Sequence, residues 1–175
     1  LDALEALESW FDDVVELLVA ESGSSVTKAS IETENTQATL REAVSFPTRM
    51  DGGHGDSNIP GKENIVERKP EGVVTVITPW NFPLVLTMRA VAPAIAMGNA
   101  VVLKPSSETP VTGGLLVAKL FEEAGLPDGV LNVVTGRGSE IGDRVASHPE
   151  SDVVSFTGST EVGRDVAAMA GRNLA

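Results

Sequence analysis

Four short stretches hold the residues whose types could do chemistry. In Thr78-Pro79-Trp80-Asn81-Phe82-Pro83 two prolines fix the backbone and withhold amide donors, leaving Asn81 in a rigid turn. Its side-chain NH₂ is a neutral donor suited to a developing oxyanion. The competing reading, which spacing alone favours, is that Asn81 only closes an Asx turn.

The second stretch is Lys104-Pro105-Ser106-Ser107-Glu108-Thr109-Pro110. A lysine ending an apolar strand suits ribose hydroxyls or a phosphate, or it snorkels from the sheet edge. Thr109 before Pro110 reads as a helix N-cap with proline at N1. The third stretch, Thr135 to Gly142, has the pattern Gly-x-Gly-x-x-x-Gly. It resembles a dinucleotide fingerprint with the wrong spacing, after the third strand rather than the first, and alone it is weak. The fourth, Phe156-Thr157-Gly158-Ser159-Thr160-Glu161-Val162-Gly163, is strand, glycine, hydroxyls, helix. That is an anion site in outline, with amides and helix dipole pointing outward, or a plain Ser/Thr cap.

Such loops need strands and helices to hold them. Residues 1–21 carry Leu4, Leu7, Phe11, Val14, Leu17 and Leu18 at helical spacing, with Gly23 as the stop. Residues 27–45 read as a more polar helix with a thin stripe of Ile31, Leu40 and Val44. Pro47 to Gly61 reads as loop, and a short extended segment around Ile65 and Val66 ends at Pro70. From residue 72 the pattern changes. Strands at 72–78, 100–103, 130–134 and 153–156 alternate with helices at 83–97, 110–124, 140–147 and 159–171. Alternation of this length predicts an α/β fold, a parallel sheet with helices on both faces. Ligands of such sheets bind beyond the carboxyl ends of the strands, where all four stretches lie.

Composition narrows the function classes. The 175 residues carry 25 Asp plus Glu against 13 Lys plus Arg, a net charge of −12. That surface repels nucleic acid and anionic lipid, and it also fits a high-salt cytoplasm in which salt screens self-repulsion. No apolar run is long enough to cross a bilayer, and no signal peptide is visible. With no cysteine, the residues hold no disulfide, thiolate metal site or cysteine nucleophile.

Taken together, the motifs resemble the aldehyde dehydrogenase superfamily. Pro-Trp-Asn-Phe-Pro at 79–83, Gly-Asn-Ala-Val-Val-Leu-Lys-Pro at 98–105 and Phe-Thr-Gly-Ser-Thr-Glu-Val-Gly at 156–163 carry the resemblance. It covers nearly the whole chain and is strongest from Ile59 to Gly171. It implies oxidation of an aldehyde to an acid with NAD⁺ or NADP⁺, through a cysteine thiohemiacetal and thioester. It makes Asn81 the side-chain half of the oxyanion hole. Ile77, Thr78, Pro79 and Trp80 then line the cofactor channel, and Lys104, Ser106 and Ser107 hold the adenosine ribose. Gly138, Gly142 and Val162 sit near the adenine. Ser159 meets the pyrophosphate, with Phe156, Thr157 and Gly158 beside it. No residue is assigned to a metal.

The resemblance also sets a domain plan: a helical segment and loop over 1–58, one side of an oligomerisation hairpin over 59–70, and a Rossmann-like NAD(P)-binding domain over 71–175. The expected partners are an aldehyde and further copies of the chain in a cytoplasmic homo-oligomer, with no nucleic acid and no membrane. The family's Glu-Leu-Gly-Gly base and its catalytic cysteine are expected beyond Ala175, so residues 1–175 alone are expected to be inactive. Two positions depart from the common pattern. Ser107 stands where many members carry glutamate, which removes a repulsion against a 2′-phosphate and predicts use of NADP⁺ as well as NAD⁺. Ala90, beside Arg89, stands where many carry lysine. Alternatives are a non-catalytic nucleotide-binding or interaction module and a coenzyme A-acylating relative.

Overall fold

In the computed structural model, which describes residues 1–173, the N-terminal apolar pattern forms two helices rather than one, α1 (Asp2–Ser9) and α2 (Phe11–Ser22). The chain kinks at Trp10, φ −100° and ψ 14°. Ser9 Oγ donates to the Ala6 carbonyl at 2.8 Å, a back-bond that bends helices, and Trp10 packs against the core. Gly23 closes α2 in the left-handed conformation, φ 67°.

Helix α3 (Val26–Val44) starts on Ser25, whose Oγ accepts from Lys28 N. Its buried stripe differs from the expected one. Ile31 and Val44 are exposed, whereas Ala29, Glu32, Thr33, Thr36, Leu40 and Ala43 are buried. Thr33 and Thr36 donate their hydroxyls to carbonyls four residues back, at 2.9 and 2.8 Å. That satisfies polar groups inside the protein, so a polar face can be a packing face.

The stretch expected as loop contains a short 3₁₀ turn, Pro47–Arg49, and a strand, β1 (Gly53–Asp56). β1 pairs antiparallel with β2 (Glu63–Val66), Gly53 opposite Val66. The pairing needs Gly52, where a Cβ would lie 2.4 Å from the Val66 carbonyl oxygen. Every residue of both strands is exposed, so the ribbon stands away from the core. Glycine and aspartate obscured the strand in the sequence.

The parallel sheet forms as expected. It contains β3 (Val73–Ile77), β4 (Ala100–Lys104), β5 (Leu131–Val133) and β6 (Val153–Phe156), in the order β5-β4-β3-β6. Its helices are α4 (Pro83–Ala96), α5 (Leu116–Glu123), α6 (Asp143–Ala146) and α7 (Thr160–Ala170). Two helices are shorter than the periodicity predicted. A wide turn, Val111–Leu115, precedes α5, with Leu115 N bonded to Pro110 O. Gly113 and Gly114 let this turn approach closely: a Cβ on Gly114 would lie 2.7 Å from Pro105 Cγ, and one on Gly113 3.2 Å from Pro83 Cβ. A second wide turn, Gly138–Gly142, precedes α6.

One face of the sheet, through Val74, Val76, Val101 and Leu103, shares a continuous core with α4, α5 and the three N-terminal helices. The other face presents Val73, Thr75 and Val102 to a groove bounded by Ile141, Val145 and His148. The last two residues of the expected 71–175 domain lie outside the described residues. Among the described residues no helix is long and apolar enough to cross a membrane.

Candidate functional site

The strand order reverses at β3: β4 and β5 run to one side of it, β6 lies on the other. In open sheets of this kind such a switch point is where ligands bind, in a crevice outside the carboxyl ends of the strands. Ile77 pairs with Lys104 on one side and with Phe156 on the other. Thr78 N donates to Lys104 O at 3.2 Å, Thr157 N to Ile77 O at 3.0 Å, and Val134 N to Leu103 O at 2.8 Å. All four sequence stretches therefore leave the sheet along one edge.

On the β3 side, Trp80 and Asn81 are exposed at the edge. Thr78 turns inward: it is buried, and its hydroxyl pairs with that of Thr87 at 2.9 Å. Thr87 in turn donates to Gly113 O at 2.9 Å. Pro79 follows, half-buried. The Asx-turn reading of Asn81 fails. Such a turn needs the amide two residues on, and that residue is Pro83, which has none. The next amide, Leu84 N, is already taken by Glu32 Oε1 at 2.8 Å. Among the described residues the exposed Asn81 side-chain amide has no hydrogen-bond partner.

Lys104 is only 4% exposed. Its Nζ donates to Pro105 O at 3.1 Å, one acceptor for an ammonium with three donors. Among the described residues no carboxylate compensates for the lost hydration, and burial lowers its pKa from the usual 10.5. The group is short of acceptors, which fits hydroxyls of a ribose. Ser106 Oγ accepts from Glu108 N at 3.2 Å, while Ser107 and Glu108 are exposed. Thr109 does not cap α5 as its position predicted. Its Oγ1 is buried without a partner, and Glu21 accepts from Val111 N and Thr112 N instead, at 2.8 and 2.6 Å.

On the β6 side, Ser159 caps α7, Oγ accepting from Val162 N at 3.3 Å. Glu161 lies in its first turn, and no carboxylate from another part of the described chain caps this helix start, an arrangement that can receive an anion. The glycines here serve the Phe156 ring: a Cβ on Gly158 would lie 2.5 Å from Cζ, and one on Gly163 3.3 Å from Cε1. Thr157, Gly158 and Val162 are exposed around the opening. Gly138 is exposed and Gly142 half-buried in the turn after β5, further along the same edge.

Two residues of this region escaped the sequence reading, Glu32 and Glu21. Both lie on N-terminal helices and both bind amides at the starts of sheet-domain segments. A signal existed. Phe82-Pro83 begins a helix with no Ser, Thr, Asp or Asn at the cap, so its first amides had to be satisfied from elsewhere.

Comparisons with known proteins identify the family and the fold. The family model described as "Aldehyde dehydrogenase family" matches residues 1–175. A vanillin dehydrogenase of Corynebacterium glutamicum is 54% identical over 168 residues, 96% of this chain and 35% of the relative. A benzaldehyde dehydrogenase of Bacillus subtilis is 46% identical over 168 residues, again 96% and 35%. The crystal structure of an NAD-dependent benzaldehyde dehydrogenase from Corynebacterium glutamicum superposes with a TM-score of 0.94 at 53% identity, covering 97% of this chain and 37% of that one. The chain spans about a third of the length of the curated relatives it matches.

Proposed function

The chain belongs to the aldehyde dehydrogenase family, and from that premise we propose that it is the cofactor-binding front portion of an NAD(P)-dependent enzyme that oxidises an aromatic aldehyde to its carboxylic acid. The observation that carries the reading is the switch-point edge. A neutral donor on Asn81, an acceptor-poor buried lysine and a helix start capped only by the Ser159 hydroxyl follow three adjacent strands in register. The aromatic substrate class is supported by the vanillin and benzaldehyde dehydrogenases among the relatives.

The residues fit a nicotinamide dinucleotide. Lys104, Ser106 and Ser107 receive the adenosine ribose, and the start of α7 with Ser159 receives the pyrophosphate. Gly138, Gly142 and Val162 flank the adenine. Phe156, Thr157 and Gly158 on one side, with Ile77, Thr78, Pro79 and Trp80 on the other, bound the channel to the nicotinamide. When bound, the cofactor supplies the hydride acceptor. Asn81 donates its amide N–H to the substrate oxygen as negative charge develops there. With Ser107 in place of a carboxylate, a 2′-phosphate meets no repulsion at that residue, and NADP⁺ is accepted as well as NAD⁺. The exposed β1–β2 ribbon, with Ile65 and Val66 on its surface, belongs to a subunit interface of a cytoplasmic homo-oligomer.

The test is steady-state oxidation of benzaldehyde and vanillin by the full-length protein, with each cofactor, with and without coenzyme A. Carboxylic acid and reduced cofactor should form without coenzyme A. No acid from either aldehyde refutes the substrate class. A requirement for coenzyme A refutes release by water. A preference for NAD⁺ beyond about a hundredfold, near 2.7 kcal/mol, refutes the cofactor reading.

A further inference from the structure

Helix α4 begins with Phe82 at its cap position and no side-chain cap of its own. Pro83 has no amide, so the first orphan donors are Leu84 N and Val85 N, both on buried residues. Glu32 Oε1 accepts from both, at 2.8 and 3.3 Å. Glu32 itself is wholly buried, and its Oε2 accepts from Lys28 Nζ at 3.2 Å. The same ammonium donates to Ser24 Oγ at 2.7 Å and lies 4.2 Å over the centroid of the Phe82 ring. Asn81 is thus followed at once by a ring held by Lys28 and by amides held by Glu32.

A matching arrangement supports the second loop. The turn into α5 also lacks a side-chain cap of its own. Glu21 Oε1 accepts from Val111 N at 2.8 Å and its Oε2 from Thr112 N at 2.6 Å. That anchors the end of the loop from Lys104 to Pro110.

We propose that Glu32 and Glu21 are separate positioning residues: Glu32 fixes the Asn81 turn and so governs turnover, and Glu21 fixes the Lys104 loop and so governs cofactor affinity. The proposal rests on the oxyanion reading of Asn81 and, for Glu21, on the ribose reading of Lys104. The physical reason is that a buried carboxylate at a helix start satisfies orphan amides and opposes the dipole in one contact. Losing it leaves buried donors unpaired, and the helix start must shift to find water. The chemistry feels that shift only through the side chain next to it.

The experiment is kinetics on variants of the full-length protein. Glu32→Ala should lower kcat roughly tenfold, as a small misplacement of a reacting group does, and change KM for NAD⁺ by less than about twofold. Glu21→Ala should do the reverse, raising KM for NAD⁺ about fivefold with kcat within about twofold. Glu32→Gln, which keeps an acceptor oxygen, should restore most of kcat. In an Asn81→Ala background, Glu32→Ala should add less than about a twofold further loss, since residues acting through one another are not additive. If Glu32→Ala fails to fold, Glu32→Asp takes its place: it keeps the charge but is one methylene shorter, and its loss of kcat should likewise vanish in the Asn81→Ala background. Equal patterns from Glu32 and Glu21, or a full Glu32 effect without Asn81, overturn the proposal. So does a normal kcat for Glu32→Ala while Asn81→Ala collapses it. A normal kcat for Asn81→Ala instead sinks the oxyanion reading itself, and the proposal with it.

Discussion

Helices α4 and α7 both follow a strand of the parallel sheet through a short turn, and both could present a positive N-terminus to the crevice. Their starts are occupied differently. At α4 the first amides are taken by Glu32, a carboxylate from 52 residues earlier in the chain. That start is closed to a second anion, and what it offers the crevice is the neutral amide of Asn81. At α7 the helix supplies its own cap from Ser159, through one hydroxyl, and the dipole is left for a ligand. A helix N-terminus can serve as an anion site only when nothing inside the protein already uses it. On the proposed function, two similar local patterns are thereby divided between oxyanion chemistry and phosphate binding.

The comparison can be broken most directly at Asn81. In the full-length protein Asn81→Ala should lower kcat roughly 10²–10³-fold, about 2.7–4 kcal/mol, the usual cost of losing one oxyanion donor. Binding of NAD⁺ should change little. Asn81→Asp should be at least as damaging, because a carboxylate would face the oxyanion with like charge. Near-normal kcat in the Asp variant, with normal thermal stability, would remove the neutral-donor role from the closed start.

A smaller effect tests the open start. Ser159→Asp keeps a good N-cap, and its charge suits the dipole. Thermal stability should hold or rise. Cofactor affinity should fall by roughly tenfold, since the carboxylate would repel a pyrophosphate at the place proposed for it. If affinity is unchanged, α7 is not the phosphate site. If stability falls instead, the helix start is less open than its geometry indicates.

The smallest effect concerns the buried charge at the end of β4, beside the strand that leads into α4. Burial lowers the pKa of Lys104 below 10.5. Between that lowered value and 10.5 the unfolded chain holds a proton that the folded chain has released. Stability must therefore rise with pH across the window, and below it the burial cost is felt in full. Lys104→Met should flatten that rise in urea titrations of the ligand-free protein. At pH 7 it should be neutral or stabilising by about 1 kcal/mol, while KM for the cofactor increases. A variant that loses stability at pH 7 would mean that Lys104 has a compensating partner in the folded protein.

The sheet was legible in the sequence because its strands are short β-branched runs bounded by glycine and proline, and β6 occurs over the predicted residues. Its helices were legible in place but not in length. Gly113 and Gly114 look like ordinary helix interior until Pro83 and Pro105 are brought against them. Strand β2 falls in the expected extended segment, but β1 was hidden because Gly53-His54-Gly55-Asp56 has the composition of a turn, and only its partner strand makes it extended. Pro83 already excluded the Asx turn at Asn81, and the sequence reading passed over it.

The sequence by itself determined the alternation of strand and helix, the edge along which the functional loops must lie, and the identity of the groups there. Those follow from local residue types and from the rules for parallel sheets. Only the tertiary structure decided which of those groups are free. Thr78 and Asn81 are three residues apart, yet one hydroxyl is bonded inside to Thr87 and one amide faces out. Glu32 reads as a surface charge on a polar helix and is wholly buried on two amides and an ammonium. Hydrogen-bond satisfaction depends on partners far apart in the chain, and a linear pattern does not encode their meeting.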